Sequence, residues 1–115
     1  MNKVEEDCRK NLQMFNTMKE NVFNKHIITD SNLHYMVTDN ASITFKNTPY
    51  LAYFDIDNIK VFDNQEQAQM FLNSIPNKYK RGDGQIININ IMPLSKTLEK
   101  LIAETEITID LIKDL

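Results

Sequence analysis

The stretch QIININIMPLSKTLEKLI, residues 85–102, contains the change of periodicity that decides the fold. Isoleucines alternate with asparagines in its first part, which predicts a strand over Gln85–Met92 with one face in the core. Pro93 ends this strand, because proline has no N–H to donate to a sheet. Apolar residues then recur at steps of three and four, which predicts a helix that begins near Ser95. The apolar positions of that helix are Leu94, Leu98, Leu101 and Ile102.

The last segment of the chain leaves two interpretations open. The run EITID, Glu106–Asp110, is β-branched and alternating, which is typical of a strand. Thr105, Ile109 and Ile112 nevertheless continue the helical stripe, and no glycine or proline intervenes. We therefore favour a helix that continues to the end of the chain.

Two further helices are predicted from apolar stripes at steps of three and four. The first runs from Val4 to Val22 and has acidic residues in its first turns, where the helix dipole favours them. The second begins at Asp63, which together with Glu66 fits a capping box, and it ends at Pro76. The buried stripe expected for this second helix is Ala68, Phe71, Leu72 and Ile75.

The region between these two helices consists of short alternating segments separated by turn residues. Leu33–Val37 and Ser42–Lys46 flank the run Thr38–Ala41, whose aspartate and asparagine suit a tight reversal, so a β-hairpin is predicted. A third strand is predicted at Tyr50–Phe54, after the break at Thr48-Pro49. Shorter candidate strands are Lys25–Thr29 and Ile59–Phe62.

The order of these elements predicts an α+β fold in a single domain over residues 1–115. We expect a mainly antiparallel sheet of about four to six short strands, with a long N-terminal helix, a middle helix and a C-terminal helix. Ile59–Phe62, the middle helix and Gln85–Met92 also fit a right-handed crossover, which would make those two strands parallel. The terminal helices either pack together, or one of them forms the seam of a homodimer.

The composition is that of a globular protein, with 42% hydrophobic and 25% charged residues. No apolar run approaches the roughly 20 residues that span a bilayer, and the charged N-terminus does not resemble a secretion signal. A single cysteine cannot form an internal disulfide, which fits a reducing compartment. We therefore expect a cytoplasmic protein that does not associate with membranes.

The net charge of −3 is distributed unevenly along the chain. Residues 26–75 hold two positive and six negative side chains, whereas residues 76–84 hold three positive and one negative. A general nucleic-acid-binding domain is usually basic overall. The sequence instead predicts an acidic body with one basic island.

No sequence motif indicates catalysis or a metal site. Cys8, His26 and His34 show no paired spacing, and Cys8 lies in the apolar stripe of the first helix. An EF-hand loop beginning at Asp55 would need an oxygen ligand where Ile59 stands. We therefore expect no metal, no cofactor and no enzymatic activity. A small enzyme assembled from distant residues, with a cleft around His34 or the aspartates, stays open as a third alternative.

Aromatic residues concentrate in the predicted strands, and aspartates accompany them. RNA-binding sheets combine such rings with basic residues, so core packing accounts for most of these aromatics. Because strands alternate, Tyr53 points opposite to Tyr50 and Phe54, which leaves one set to face a protein partner. The predicted partner-binding residues are Tyr50, Tyr53, Asp55 and Asp57. The expected partner is another protein with a basic surface.

The alternative binding site is the basic island NKYKRGDG, residues 77–84. Pro76–Gly84 is predicted to be a loop longer than the usual connection of about two to six residues, and extra loop length often carries function. Its plain interpretation is a solvated connection between a helix and a strand. In the functional alternative, the loop binds nucleic acid or phosphate, with Tyr79 stacking on a base. The residues of this alternative are Lys78, Tyr79, Lys80 and Arg81.

The segment YLAYFDIDNIKVFDNQEQAQMFLNSIP, Tyr50–Pro76, resembles a module of small proteins from phages and mobile elements of low-GC bacteria. In that module a strand leads through a turn to VFD and then to a helix patterned EEAxxFL. The resemblance implies no catalytic residue. It places inhibitors of host nucleic-acid-processing or defence enzymes, anti-CRISPRs included, among the candidate functions. The matching residues here are Val61, Phe62, Asp63, Glu66, Gln67, Ala68, Phe71 and Leu72, with Gln67 where an acid is common.

Overall fold

The computed structural model describes residues 2–38, 44–45, 48–49 and 51–114. The helices in these ranges are α1 (Lys3–Met18), α2 (Gln65–Asn73) and α3 (Leu94–Lys113). The strands are β1 (His26–Asp30), β2 (Tyr35–Val37), β3 (Thr44–Phe45), β4 (Thr48–Pro49), β5 (Leu51–Tyr53), β6 (Lys78–Lys80) and β7 (Ile86–Pro93). The predicted α+β class is confirmed, with helices at the N-terminus, in the middle and at the C-terminus.

Five of the strands form one sheet in the order β5-β2-β1-β7-β6, and every neighbouring pair is antiparallel. The central strand β1 pairs with β7 in a register that places Ile28 opposite Ile91. Strands β3 and β4 pair with each other in a separate two-stranded ladder. The side chains of Ile27 and Ile28 are fully buried, as expected for a strand with a neighbour on each side.

The predicted parallel crossover is wrong. Ile59 and Phe62 form isolated bridges with Thr38 and His26 instead of a continuous strand. The neighbours of β7 are β1 and β6, and both pairs are antiparallel. A run of four residues that bridges two different partners cannot also provide a full parallel ladder.

The predicted hairpin between Leu33–Val37 and Ser42–Lys46 is also wrong. Strand β2 begins only at Tyr35, because Leu33 has a φ of 57° and lies in a turn with its side chain buried. The partners of β2 are β1 and β5, whereas Thr44–Phe45 pairs with Thr48–Pro49. The turn residues proposed at 39–41 lie outside the described residues.

The helix boundaries follow from local capping. Asn2 caps α1 by accepting a hydrogen bond from the Glu5 N–H at 2.7 Å. Helix α2 is capped by Asn64, one residue after the predicted Asp63, and Asn64 accepts from the Gln67 N–H at 2.9 Å. Helix α3 continues through Glu106–Asp110, which confirms the helical interpretation of that segment.

The chain forms two compact units, one of Asn24–Leu94 and one of Met1–Phe23 together with Ser95–Leu115. In the first unit α2 contacts β1 and β7. The second unit holds α1 and α3, and a homodimer through one of these helices stays a prediction. No described helix is both long and apolar enough to cross a membrane. The unit of Asn24–Leu94 is called here the sheet unit. Its core consists of Ile28, Val37, Leu51, Phe62, Ala68, Leu72, Tyr79, Ile87 and Ile89.

Candidate functional site

The turn between β1 and β2 is held by the Asp30 side chain. Asp30 Oδ1 accepts hydrogen bonds from the backbone N–H groups of His34 and Tyr35, each at 2.8 Å. The hydroxyl of the buried Thr29 donates to the Tyr35 carbonyl at 2.6 Å. These bonds fix the start of β2 against the end of β1, so the orientation of Tyr35 is set by the turn.

A second turn lies at the same end of the sheet and joins β6 to β7. The Arg81 N–H donates to the Gln85 carbonyl at 2.8 Å, and the Gly84 N–H donates to the Arg81 carbonyl at 3.0 Å. Gly84 has a φ of 90°, which suits a residue without a Cβ. Asp83 Oδ1 accepts from the Gln85 N–H at 3.0 Å. The basic island is therefore an edge strand followed by a tight hairpin turn, and its prediction as a long loop is wrong.

The edge strand separates the residues of the predicted nucleic-acid site. Tyr79 is only 3% exposed and pairs with Ile87 in the core, so its ring cannot stack on a base. Because side chains alternate along a strand, Lys78 and Lys80 project to the opposite face, where both are exposed. Arg81 returns to the face of Tyr79, so the cations do not form one patch.

Tyr35, Tyr53 and Arg81 form a cluster, called here the Tyr–Arg cluster, at the end of the sheet. Tyr35 and Tyr53 are directly opposite on β2 and β5, with ring centroids 5.0 Å apart. The Arg81 guanidinium carbon lies 5.8 Å from the centroid of the Tyr35 ring. Strands β1 and β7 stand between β2 and β6 in the sheet order, so this contact requires a strongly curled sheet.

Tyr53 is the exposed member of the Tyr–Arg cluster. It is 72% exposed on the edge strand β5, whereas the following Phe54 is half-buried. By alternation Tyr53 shares its face of β5 with the buried Leu51, so its exposure reflects its position at the end of the edge strand. Tyr50, the other predicted aromatic contact, lies outside the described residues.

The Tyr35 phenol has a pKa raised above its ordinary value of 10.0. Burial is the largest cause, and a side-chain hydrogen bond with Tyr53 acts in the same direction. The positive charge of Arg81 opposes this shift by lowering the pKa. Tyr35 consequently stays a neutral phenol at physiological pH.

The two predicted acidic contacts follow β5 directly and are both exposed. Asp55 caps a short 3₁₀ turn, Ile56–Asn58, by accepting from the Asp57 N–H at 3.1 Å. Its other carboxylate oxygen accepts from the Asn58 side-chain amide at 2.7 Å. Asp55 therefore orders the turn that presents Asp57, and the two carboxylates lie within four residues of Tyr53 in the sequence.

A small polar cavity of about 240 Å³ lies between the two turns. It is lined mainly by polar side chains from both turns and by the start of β2 and β7. A cleft around His34 was considered from the sequence only as the third alternative, and the contact of Arg81 with Tyr35 was not foreseen, because it depends on the curl of the sheet. The lining residues that matter for its chemistry are Asp30, Asn32, His34, Tyr35, Arg81 and Gln85.

The described residues contain no group of three or more His, Cys, Asp or Glu side chains placed to hold a metal ion. Cys8 is a free, half-buried thiol in α1. His26 Nδ1 lies 2.9 Å from the carbonyl oxygen of Asn24, in a local contact. His34 lines the cavity beside Asp30, whose Oδ1 already accepts two backbone N–H groups. What the cavity offers chemically is a set of hydrogen-bonding groups around one guanidinium.

No family model, no curated protein and no solved structure matches this chain. The resemblance of Tyr50–Pro76 to proteins of phages and mobile elements therefore stays a prediction.

Proposed function

We propose that this chain is a small, non-enzymatic protein-binding module whose contact surface is centred on Tyr53. The observation that carries this proposal is the exposure of the Tyr53 ring, 72%, in an edge strand where Tyr35 supports it at 5.0 Å. Tyrosine and arginine are enriched among the residues that dominate protein–protein binding energy. The Tyr–Arg cluster provides both residue types at one place.

The support for a protein partner is strengthened by the rigidity of the surface. Tyr53 packs on Tyr35, and Tyr35 is held by the Asp30 turn. A ring that is already ordered loses little conformational entropy on binding, so more of its buried area contributes to affinity. Tyrosine also brings a hydroxyl that can form a hydrogen bond at the rim of an interface.

The charges next to Tyr53 favour a partner with a basic surface. Asp55 and Asp57 are exposed, and the net charge of the chain is −3. Complementary charge mainly raises the association rate, while the aromatic contact supplies the affinity. Enzymes that process nucleic acids have such basic surfaces. Together with the resemblance of Tyr50–Pro76, this supports the narrower proposal of an inhibitor of a host nucleic-acid-processing or defence enzyme, in the manner of anti-CRISPRs.

The proposal is tested by affinity capture with immobilised protein at low salt from a lysate of the organism that encodes the chain. The wild type is compared with Y53A, the double variant D55N/D57N and the control F23A. Phe23 is 93% exposed and lies in the other compact unit, so it matches Tyr53 as an exposed aromatic ring. We expect a stoichiometric protein that F23A retains and that Y53A loses by tenfold or more, which corresponds to about 1.4 kcal/mol.

Substitution of Asp55 and Asp57 is expected to affect binding kinetics differently from substitution of Tyr53. D55N/D57N should slow association more than it speeds dissociation, and this difference should shrink as salt is added. If the partner is captured by Y53A but not by F23A, the contact surface does not lie on β5. The absence of any stoichiometric partner at low salt would count against the module itself.

Nucleic-acid binding through the basic island receives less support from the arrangement of its residues. Lys78 and Lys80 are exposed together, but Tyr79 is buried and Arg81 belongs to the opposite face. Two lysines neutralise at most about two phosphates, which predicts weak binding with only a shallow dependence on salt. Fluorescence anisotropy at low salt measures the binding of single-stranded DNA to the wild type and to K78A/K80A, and comparison of the two affinities tests this alternative.

A further inference from the structure

We propose that the cavity between the two turns binds a carboxylate group, supplied by an aspartate or glutamate side chain of the protein partner. This inference rests on the proposed function, since it names a second contact for the same partner. Arg81 is the residue that would bind the carboxylate. Tyr53 and Arg81 would then be two adjacent anchors of one interface, the first aromatic and the second cationic.

Arg81 retains unused hydrogen-bonding capacity at the cavity. A guanidinium has five N–H donors in a planar fork that matches the two oxygens of a carboxylate. The described side-chain contacts of Arg81 are long: Nη1 lies 3.4 Å from Gln85 Oε1, and Nη2 lies 3.4 Å from Asp83 Oδ2. Hydrogen bonds to carboxylates are usually about 2.7–2.9 Å. Neither contact therefore occupies the fork as a well-placed carboxylate would.

The position of Arg81 is fixed although its donors are weakly engaged. Its backbone closes the hairpin with Gln85, and its guanidinium lies over the Tyr35 ring at 5.8 Å. A cation–π contact with the ring uses none of the N–H donors of the guanidinium, which leaves them available for a ligand. Less side-chain entropy is then lost on binding than for an arginine that is free in solvent.

The other charges at the cavity disfavour a ligand with more than one negative charge. Asp30 is the anionic group of the lining, and its Oδ1 is directed at the His34 and Tyr35 N–H groups. Arg81 supplies one positive charge, and the hairpin turn places Asp83 beside it. A phosphate would bring nearly two negative charges next to these carboxylates. A carboxylate brings one, and amide donors from Asn32 and Gln85 lie in the same lining.

The cavity volume also suits a side chain better than a larger ligand. About 240 Å³ accommodates the carboxyl end of a glutamate with one or two waters, whose share of liquid volume is about 30 Å³ each. A drug-sized ligand usually occupies a pocket of about 300 Å³ or more. The dimensions thus agree with one side chain inserted from a protein surface.

The first experiment uses the wild-type chain and two matched peptides, acetyl-Gly-Glu-Gly-amide and acetyl-Gly-Gln-Gly-amide. Each is titrated while ¹H–¹⁵N correlation spectra are recorded. The glutamate peptide should shift the amide resonances of Asn32, His34, Arg81 and Gln85 in a saturable way, with a dissociation constant on the order of 1–10 mM. The glutamine peptide, which has the same size without the charge, should leave them unchanged.

The second experiment compares R81Q with K80Q. Each substitution removes one positive charge at adjacent positions, but Lys80 projects to the opposite face of β6. R81Q should weaken binding of the glutamate peptide by about tenfold, and K80Q by less than about twofold. R81K should recover only part of the affinity, because an ammonium lacks the planar fork.

Several outcomes would overturn the inference. These are equal shifts from both peptides, an equal loss in R81Q and K80Q, or inorganic phosphate that shifts the same resonances at lower concentration than the glutamate peptide. The peptide comparison on the wild type does not depend on the folding of a variant. A captured partner that requires Tyr53 but binds R81Q normally would also overturn the inference while leaving the proposed function intact.

Discussion

At the scale of single residues, the Asp30 carboxylate determines the geometry of the turn between β1 and β2. One of its oxygens accepts two backbone N–H groups at 2.8 Å, so removing it leaves both donors without a protein acceptor. D30A should lower the free energy of unfolding by about 2 kcal/mol, whereas D30N, which keeps an acceptor oxygen, should lose about half of that. The three tyrosines that the structure describes, Tyr35, Tyr53 and Tyr79, lie in the sheet unit, so tyrosine fluorescence during chemical denaturation reports on that unit. A D30A variant within about 0.5 kcal/mol of the wild type would contradict this role.

Tyr35 makes the stability of the sheet unit dependent on alkaline pH. Its pKa is raised in the folded chain, so the unfolded chain releases this proton at a lower pH than the folded chain does. The stability that depends on the neutral phenol is fully present below the ordinary pKa of 10.0 and is lost as the pH rises through the folded value. Y35F cannot ionise and should show a smaller loss between about pH 9 and about pH 11. Denaturation midpoints of both proteins across this range provide the measurement, and parallel curves would exclude the effect.

Local alternation was not enough to predict which residues of the candidate site are exposed. Alternation places Tyr53 on the same face of β5 as the buried Leu51, so its 72% exposure comes from its position at the end of an edge strand, which no local pattern reports. The alternative site placed Tyr79 in a long loop and expected it to stack on a base, yet Tyr79 is buried in an edge strand whose lysines occupy the outer face. The pairing of Arg81 with Tyr35 joins residues 46 positions apart, and no local pattern reports it.

At the scale of elements, α3 shows how a β-branched segment becomes helical when its apolar stripe continues. In a strand, Ile107 and Ile109 would point to the same face, whereas on a helix they point in nearly opposite directions. The structure places Ile107 at 59% exposure and Ile109 at 5%. The alternation of EITID was therefore coincidental, because burial follows the period of about 3.6 residues set by the preceding turns.

This asymmetry gives a prediction with a matched control in the same segment. I109A should lower the free energy of unfolding by about 2–4 kcal/mol, because it removes buried methyl groups and leaves a cavity. I107A makes the same change two residues away, and its free energy of unfolding should stay within about 0.5 kcal/mol of the wild-type value. Thermal melts followed by circular dichroism at helical wavelengths report both. Equal losses would mean that the two side chains share one environment.

Strand β6 was missed because an edge strand of three residues has too little pattern to be recognised. Lysine, tyrosine, lysine and arginine between a helix and a glycine suggest a loop, and only pairing with β7 converts this run into a strand. The cap of α2 was misplaced for a similar reason, since Asp63 and Asn64 are both good caps and the structure uses the second. Competition between neighbouring residues of equal propensity is decided by tertiary packing.

At the scale of the whole molecule, the sheet order predicts a gradient of protection from hydrogen exchange. Strand β1 has neighbours on both sides, whereas β6 lies at an edge. Tyr79 pairs with Ile87 in the ladder, so the Lys78 and Lys80 N–H groups point away from β7. The amides of β1 should exchange slowest, and those of Lys78 and Lys80 should exchange first within the sheet. Protection of Lys78 and Lys80 comparable to that of Ile28 would indicate that something covers this edge.

The class of the fold was predictable from the sequence, but the pairing of its strands was not. Periodicity identified all three helices and the alternating strand at Gln85–Met92, because each is a local property of the chain. The hairpin expected between neighbouring strands gave way to pairing of β2 with β1 and β5. The short turn that brings β2 to β1 is held by the side chains of Asp30 and Thr29, and no periodic pattern reports these bonds.

The register between β1 and β7 has a consequence for synthesis on the ribosome. Ile28 pairs with Ile91, and these positions are 63 residues apart. At about 5–20 residues per second, roughly 3–13 s separate the translation of the two partners. During that interval the central strand β1 can be paired on its β2 side while its other edge stays open, a form prone to association with other nascent chains. A chain stalled after residue 80 would keep this open edge, whereas release past residue 93 lets β7 close it.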